Sequence, residues 1–355
     1  MLRRSIRSQN WSSSGSNWYS AGWPGRQIGE SFMTIPSACP IPSYEEIAES
    51  AVVVALPMRM RFRDITTREV MVFRGPAGWG EFGAFVEYDD AESAAWLAAG
   101  IEAAYLGPPP AMRDSVAVNA TVPAIPADQV DEVLARYPGA HTAKVKVAQE
   151  GQTLDDDVAR VEAVRSRIDH VRVDANGKWT VQQAITAIRA LGELEYAEQP
   201  CVTIDELAAV RAAVDTPIAA DESIRRAGDP LKVIAAEAAD IAVLKVAPLG
   251  GMRRVLDLAG RIPIPVVISS ALDSAVGISA GVATAVALPA EPPACGLGTG
   301  GLFVTDVAEP FVPEMGSLGP RLVDIDPTVL PLAGEDRRDW WLERLRRCLA
   351  ILADN

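Results

Sequence analysis

Histidine is almost missing from this chain: His141 and His170 are the only two in 355 residues. Both fall just ahead of apolar strands, at the end of a β/α unit that serves stability rather than chemistry. That position argues against a histidine general base and a Ser-His-Asp triad, and no G-x-S-x-G motif is present. Cysteine is scarce too. Cys39, Cys201, Cys295 and Cys348 are scattered without a C-x-x-C pair, which points to reduced thiols in a cytoplasmic protein. No apolar run is long enough to span a bilayer. Positive charge is in deficit, with 33 Lys and Arg against 47 Asp and Glu and a net charge of -14. Nucleic acid and an anionic membrane surface are therefore not the expected partners; a small molecule is.

What the chain does have is apolar substance, 49% of its residues, enough for a large core. Residues 1–43 differ in composition, with Arg at the start and then Ser, Gly, Asn and Trp without periodicity. No hydrophobic region follows the basic start, so a secretory signal is not expected. We read a disordered extension, with Met33 as the expected true beginning, although Trp11, Trp18, Tyr19 and Trp23 also suit a binding arm. Residues 44–113 read as a small α+β domain. It has strands at 51–56 and up to Gly75, a third around GWGEFGAF, and an amphipathic helix stopping at Gly107.

A repeating unit then occupies residues 114–300. Strands are predicted near 116–121, 142–147, 170–175, 195–199, 217–221, 241–246, 265–270 and 294–298, with helical patterns such as 153–167, 180–192 and 203–214 between them. Alternation of this kind implies a parallel sheet, and eight strands imply closure into a barrel. The expected fold is α/β, a modified TIM barrel of (β/α)7β type with an N-terminal α+β capping domain. Residues 301–355, ending in a Trp-containing helix, are expected to pack back on the cap.

Three strands stop at a carboxylate: VRVD at Asp174, EYAE at Glu198 and PIAAD at Asp221, 24 and 23 residues apart. Barrel strands aim their C-terminal ends at one face, so these acids should converge. Three carboxylates suit a hard divalent cation, Mg2+ with Mn2+ as the alternative. N-capping of the following helices is the plainer role for such acids, but Glu198 before Gln-Pro makes a poor cap. Lys144 and Lys146, two apart on one strand, both point into the barrel, and Lys245 faces them from the sixth. Burial and a neighbouring cation lower a lysine pKa toward the range of a general base. Ordinary salt bridges are the bland alternative for any one of these lysines.

The motifs PMRMRFRDITTRE, GWGEFGAF, NATVPA, TAKVKVA, VRVDANG, EQPC, ADESIR, VLKVAPLGG, SSALDSAVG and CGLGTGG follow one another in order. In this run the chain resembles the enolase superfamily, muconate-lactonising branch, over about residues 50–350. The resemblance implies Asp174, Glu198 and Asp221 as metal ligands, Lys146 as catalytic acid/base, Lys144 tuning it and Lys245 on the opposite face. It implies syn β-elimination of water from 2-succinyl-6-hydroxy-2,4-cyclohexadiene-1-carboxylate, a step of menaquinone biosynthesis, through a metal-stabilised enediolate. Arg59, Arg61 and Arg63 fall where the family has an active-site lid, and Arg63 is our candidate for the substrate's second carboxylate. Ser269, Ser270, Gly298 and Gly300 are candidates to hold the succinyl tail, and Asn176 and Asn119 to hydrogen-bond around the site. The same scaffold also racemises N-succinylamino acids or epimerises dipeptides, with Lys146 and Lys245 as opposed bases, or lactonises. A Schiff-base aldolase would leave the acids unexplained. A barrel kept only for protein contacts would leave the whole lysine and acid set unexplained.

Overall fold

The structure, a computed structural model, describes residues 39–62, 65–225 and 230–354. Residues 1–38 of the extension expected over 1–43, and the candidate Arg63, lie outside them. The cap opens with helix α1 (Tyr44–Ser50), fixed by a capping box in which Ser43 Oγ accepts from Glu46 N and Ser43 N donates to Glu46. Strands β1 (Val52–Phe62), β2 (Ile65–Gly75) and β3 (Gly78–Phe82) form an antiparallel sheet in that order. Helix α2 (Asp90–Tyr105) lies against β3 with almost no gap. A Cβ on Gly80 would sit 2.2 Å from Gly100 O, and one on Gly100 2.4 Å from Glu81 O. Glycine is required at both positions by that approach.

The segment 57–62, which carries Arg59 and Arg61 of the expected active-site lid, continues strand β1 through an irregularity in register. Its side chains alternate, with Arg59 and Arg61 exposed while Met58 and Phe62 are buried.

Strands β4 (Val116–Ala117) and β5 (Ala120–Val122) replace the single strand expected at 116–121, because β4 pairs outward with β12 (Ser317–Leu318). After α3 (Val130–Leu134) the barrel units run β6 (Thr142–Lys146), α4 (Leu154–Arg165), β7 (His170–Asp174), α5 (Val181–Leu191), β8 (Tyr196–Glu198), α6 (Ile204–Ala213) and β9 (Ile218–Ala220). Short α7 (Glu222–Arg225) and α8 (Lys232–Ala235) follow, then β10 (Ile241–Lys245), α9 (Met252–Arg261), β11 (Val266–Ser269) and α10 (Ala275–Ala287). One local device starts α4, α5 and α6: a threonine N-cap (Thr153, Thr180, Thr203) with Asp156, Gln183 or Glu206 three residues on, in reciprocal hydrogen bonds.

Strands β5 to β11 form one parallel sheet in sequence order. The eighth strand, expected over 294–298, shrinks to Cys295 and Gly296, which bridge Val118 on one edge and Ser269 on the other. Gly296 N donates to Ile268 O at 2.8 Å and Cys295 N to Ala117 O at 2.7 Å, so the barrel closes with minimal ladder. Pro292 and Pro293 just before it cannot donate to a ladder. Inside, Tyr196, Ala219, Ile241, Val243 and Val267 form an apolar plug. Beside it lies Arg172, fully buried, bonded to Glu195 at 2.7 and 2.9 Å and stacked 4.6 Å from the Tyr196 ring.

The final helix α11 (Glu335–Ala353) returns to the cap. Arg344 donates to Tyr88 O at 2.6 Å and Phe85 O at 3.0 Å, and Trp341 meets Phe82 edge-on at 5.3 Å. Between cap and barrel, Glu81 of β3 accepts from Ser274 N at 3.0 Å and Gly277 N at 3.3 Å, at the start of α10. Burial, then nearby Asp273, push Glu81 up to about 7, against the pull of Ser274 and Arg68. The folded state therefore holds this proton above the pH at which an unfolded glutamate releases it, and stability falls as pH rises from about 4.5 to 7. Glu81→Gln should flatten that part of the Tm-versus-pH profile relative to the native chain. Parallel profiles from pH 4 to 8 would refute this account of the joint.

Candidate active site

The register of the barrel brings the acids and lysines to one level. Lys146, Asp174 and Glu198 are Cα partners across β6, β7 and β8. Asp221 follows β9 directly, and Lys245 ends β10. A loop braced by one side chain holds Asp221: Gln199 Oε1 accepts from Asp221 N at 3.0 Å and Ser223 N at 3.2 Å. Gln199 and Asn176 both adopt positive φ, 39° and 48°, at the turns leaving their strands.

Every one of the three carboxylates is turned onto an ammonium. Lys144 Nζ reaches both oxygens of Glu198 at 2.7 and 2.8 Å and Asp174 at 3.5 Å. Lys146 Nζ lies 2.5 Å from Asp174 Oδ2 and 2.7 Å from Asn176 Oδ1. Lys245 Nζ lies 2.5 Å from Asp221 Oδ2, whose other oxygen meets Arg225 Nε at 3.2 Å. Strand order sets Lys146 and Lys245 at opposite ends of the acid row, with Glu198 between.

These contacts sort the protonation states. Burial lowers Lys146, Asp174 pulls it back up, and the ammonium of Lys144 pushes it down again; the net shift is below the usual lysine range. Burial opposes charge on Lys144 as well, but Glu198 and Asp174 overcome it and raise that lysine. Lys144 thus stays charged while its neighbour is the easier amine to neutralise. Burial works against the Asp174 and Asp221 charges, yet Lys146 and Lys144 hold Asp174 low, and Lys245 and Arg225 hold Asp221 at about 2. Glu198 goes the other way, to about 7, through burial and the charges of Asp174 and Asp221, with Lys144 resisting.

Among the described residues, no three acidic, histidine or cysteine side chains are arranged around a single point as ligands. The donor set still fits a divalent cation. Three buried carboxylates at the ends of neighbouring strands supply the hard oxygens that such an ion takes.

The cleft above the acids is lined by Ser269 and Ser270 as expected, and also by Phe62, Thr121, Gly296 and Thr299. Ser270 Oγ shares a hydrogen bond of 2.7 Å with Thr299 Oγ1 and donates to Gly296 O at 2.7 Å. Gly298 and Gly300 are not among the lining residues. Gly298 is small because a Cβ there would come within 2.9 Å of the Tyr137 ring. Asn119 lies below the cleft, donating to Ala120 O at 2.9 Å and accepting from Arg172 at 3.4 Å. Phe62 escaped the sequence reading, which followed the arginines of its strand; its ring centroid is 5.3 Å from Lys146 Nζ. Strict alternation from Met58 would have found it. Glu222 and Arg225 were missed too, although Arg225 is one helical turn beyond Asp221. His141 and His170 are exposed and remote from the cleft, His141 pairing with Asp169.

Residues 53–104 match the enolase N-terminal domain-like family and residues 127–321 the enolase C-terminal domain-like family. The chain is 61% identical over 317 residues to an o-succinylbenzoate synthase of Mycolicibacterium smegmatis, covering 88% of this chain and 99% of that one. It is 60% identical to an o-succinylbenzoate synthase of Mycobacterium tuberculosis, covering 88% and 97%. In fold it is similar to the L-Ala-D/L-Glu epimerase of Bacillus subtilis, with a TM-score of 0.65, 21% identity and coverage of 78% and 96%. The muconate lactonizing enzyme of Pseudomonas fluorescens gives 0.65, 22%, and 82% and 97%. Likeness at that identity speaks for the shared architecture alone, whereas the mycobacterial relatives extend along nearly their whole length. The chain belongs to the enolase superfamily, in its o-succinylbenzoate synthase family.

Proposed function

We infer that this site dehydrates 2-succinyl-6-hydroxy-2,4-cyclohexadiene-1-carboxylate to 2-succinylbenzoate, with Lys146 as the single acid/base. The observation that carries the assignment of Lys146 is the contrast between two lysines on one strand, Lys144 locked onto Glu198 and Lys146 lowered beside it. As a neutral amine, Lys146 takes the proton α to the substrate carboxylate, and the C–H electron pair moves into the carboxylate. The same amine, now an ammonium, returns that proton to the hydroxyl on the adjacent carbon; the C–O bond breaks, water leaves and the ring becomes aromatic. One base serving both steps from one face makes the elimination syn.

Enolase-superfamily sites employ a divalent cation, and one held here by Asp174, Glu198 and Asp221, Mg2+ or Mn2+, would offset the charge that builds on the substrate carboxylate. Lys245, from the far end of the acid row, supplies a fixed positive charge to the other face of the planar anion. Phe62 covers Lys146 and keeps bulk water from the transferred proton. Ser269, Ser270 and Thr299 line the cleft, and their hydroxyls would turn from their present partners to hold the succinyl tail. Racemisation of an N-succinylamino acid would need Lys245 as a second base. The names of the mycobacterial relatives favour the lyase.

An ultraviolet assay tests this reading. Diene absorbance should be lost on mixing with the Mg2+-loaded protein, should persist after EDTA by a factor of about 10^3 or more in rate, and should be lost again when Mg2+ or Mn2+ is returned. Failure to turn over the diene, together with racemisation of an N-succinylamino acid, would replace the lyase by the isomerase.

A further inference from the structure

The arginine that follows the third acid ties the cap to the base. Arg225 is almost buried, its side chain 4% exposed, and its guanidinium is divided among three partners. Nε donates to Asp221 Oδ1 at 3.2 Å, Nη2 to Glu222 Oε1 at 2.9 Å, and Nη1 to the Tyr88 hydroxyl oxygen at 3.1 Å. Glu222 Oε1 accepts in turn from Asn176 Nδ2 at 3.2 Å, and Asn176 Oδ1 accepts from Lys146 Nζ at 2.7 Å. Among the described residues the second oxygen of Glu222, Oε2, is buried with no donor, so Glu222 is oriented through Oε1 alone. Tyr88 belongs to the cap. It is 6% exposed, packed edge-on against Phe85 and Trp96, and its carbonyl is held by Arg344 of α11.

We propose that Arg225 is a positioning residue that transmits the seating of the cap, through Tyr88, to Lys146 by way of Glu222 and Asn176. The amide of Asn176 fixes the direction of the relay. Its oxygen must face Lys146 for its nitrogen to face Glu222, so a Glu222 that swings away lets the amide turn and releases the amine. A planar five-donor fork suits this junction, since a lysine's point charge cannot hold three acceptors in fixed directions. The inference deepens the dehydration reading and rests on it for the identity of the base.

The test compares the native chain with Tyr88→Phe, Arg225→Lys, Glu222→Ala and the Tyr88→Phe/Glu222→Ala double variant, all full-length. Loaded with Mg2+, Tyr88→Phe should lose about tenfold in kcat with KM within about twofold, the effect of one hydrogen bond to a charged group. Arg225→Lys should lose at least as much. In the Glu222→Ala background the further loss from Tyr88→Phe should shrink to less than about twofold, because the relay is already cut. A second readout needs neither metal nor substrate. The chain has five lysines, and exposed Lys178 and Lys232 serve as internal references for acetylation mapped by mass spectrometry. In the metal-free protein, Tyr88→Phe should change the labelling of Lys146 relative to Lys232 by about threefold or more, measured well below the Tm of the variant.

If Tyr88→Phe keeps both kcat and the Lys146 labelling ratio within twofold of the native chain, the tyrosine contact is only packing and the proposal fails. Full additivity in the double variant overturns the route through Glu222. Should the native chain not turn over the diene, the dehydration reading falls by itself, and the labelling ratio still decides whether the cap reaches Lys146.

Discussion

Lys146→Ala should reduce kcat for dehydration by roughly 10^4-fold, the upper end for general acid–base catalysis, because one amine performs both proton transfers. Folding should suffer little. Asp174 keeps Lys144 at 3.5 Å and the backbone amide of Asn176 at 3.0 Å, so its charge is not stranded. The diene assay and a thermal melt on the same preparation separate the two effects, and loss of activity in step with loss of fold would sink the assignment. In the native enzyme, kcat should rise with pH until Lys146 is neutral and then level. The lowered pKa of the amine brings that limb down in pH from where an ordinary lysine would put it.

The reverse division of effects is expected at Lys144. Lys144→Met should destabilise the metal-free protein by about 3–5 kcal/mol, the cost of stripping one partner from a buried ion pair and leaving Glu198 without its bidentate donor. The sign of the pH dependence follows from Glu198, already raised to about 7. Without Lys144 its folded pKa rises further while its unfolded value stays ordinary. The variant therefore loses stability as pH rises above about 4.5, and the gap from the native chain should be wider at pH 8 than at pH 6. Urea melts at both values check this. A divalent ion at 100 times its Kd should recover about 2.7 kcal/mol by binding only the folded form. Removing Lys144 also removes the charge that lowers Lys146, so the kcat limb should shift to higher pH. A variant that melts like the native chain at pH 8 without metal would show that the bonds to Glu198 carry no net stability.

Much of this was legible in the chain itself, for a physical reason. A β/α barrel repeats one strand and one helix, and side chains at strand ends share a face by construction. Asp174, Glu198, Asp221 and the three lysines therefore fall together on sequence spacing alone. What resisted reading depended on partners far away in sequence. Arg172 looks like any arginine in a strand until Glu195, Asn119 and Ala294 O close around it. The sequence predicts an eighth strand five residues long, yet it pairs only through Cys295 on one side and Gly296 on the other. Among the glycines after it, Gly298 owes its size to Tyr137, and the cleft is lined by Gly296 and Thr299 instead. In β1 the charges of Arg59 and Arg61 drew attention to the solvent side, while Phe62 occupies the inner one. Charge marks chemistry well at a strand end. It marks it poorly along an edge, where alternation decides.

The four thiols, all buried and unpaired with one another, have a practical corollary. Burial pushes Cys39, Cys201 and Cys295 up to about 11 and Cys348 to about 12, so each keeps its proton and offers an alkylating dye no thiolate. Fluorescent maleimide should leave the native chain dark and light it only as the molecule opens, giving a clock for unfolding that requires no engineered label.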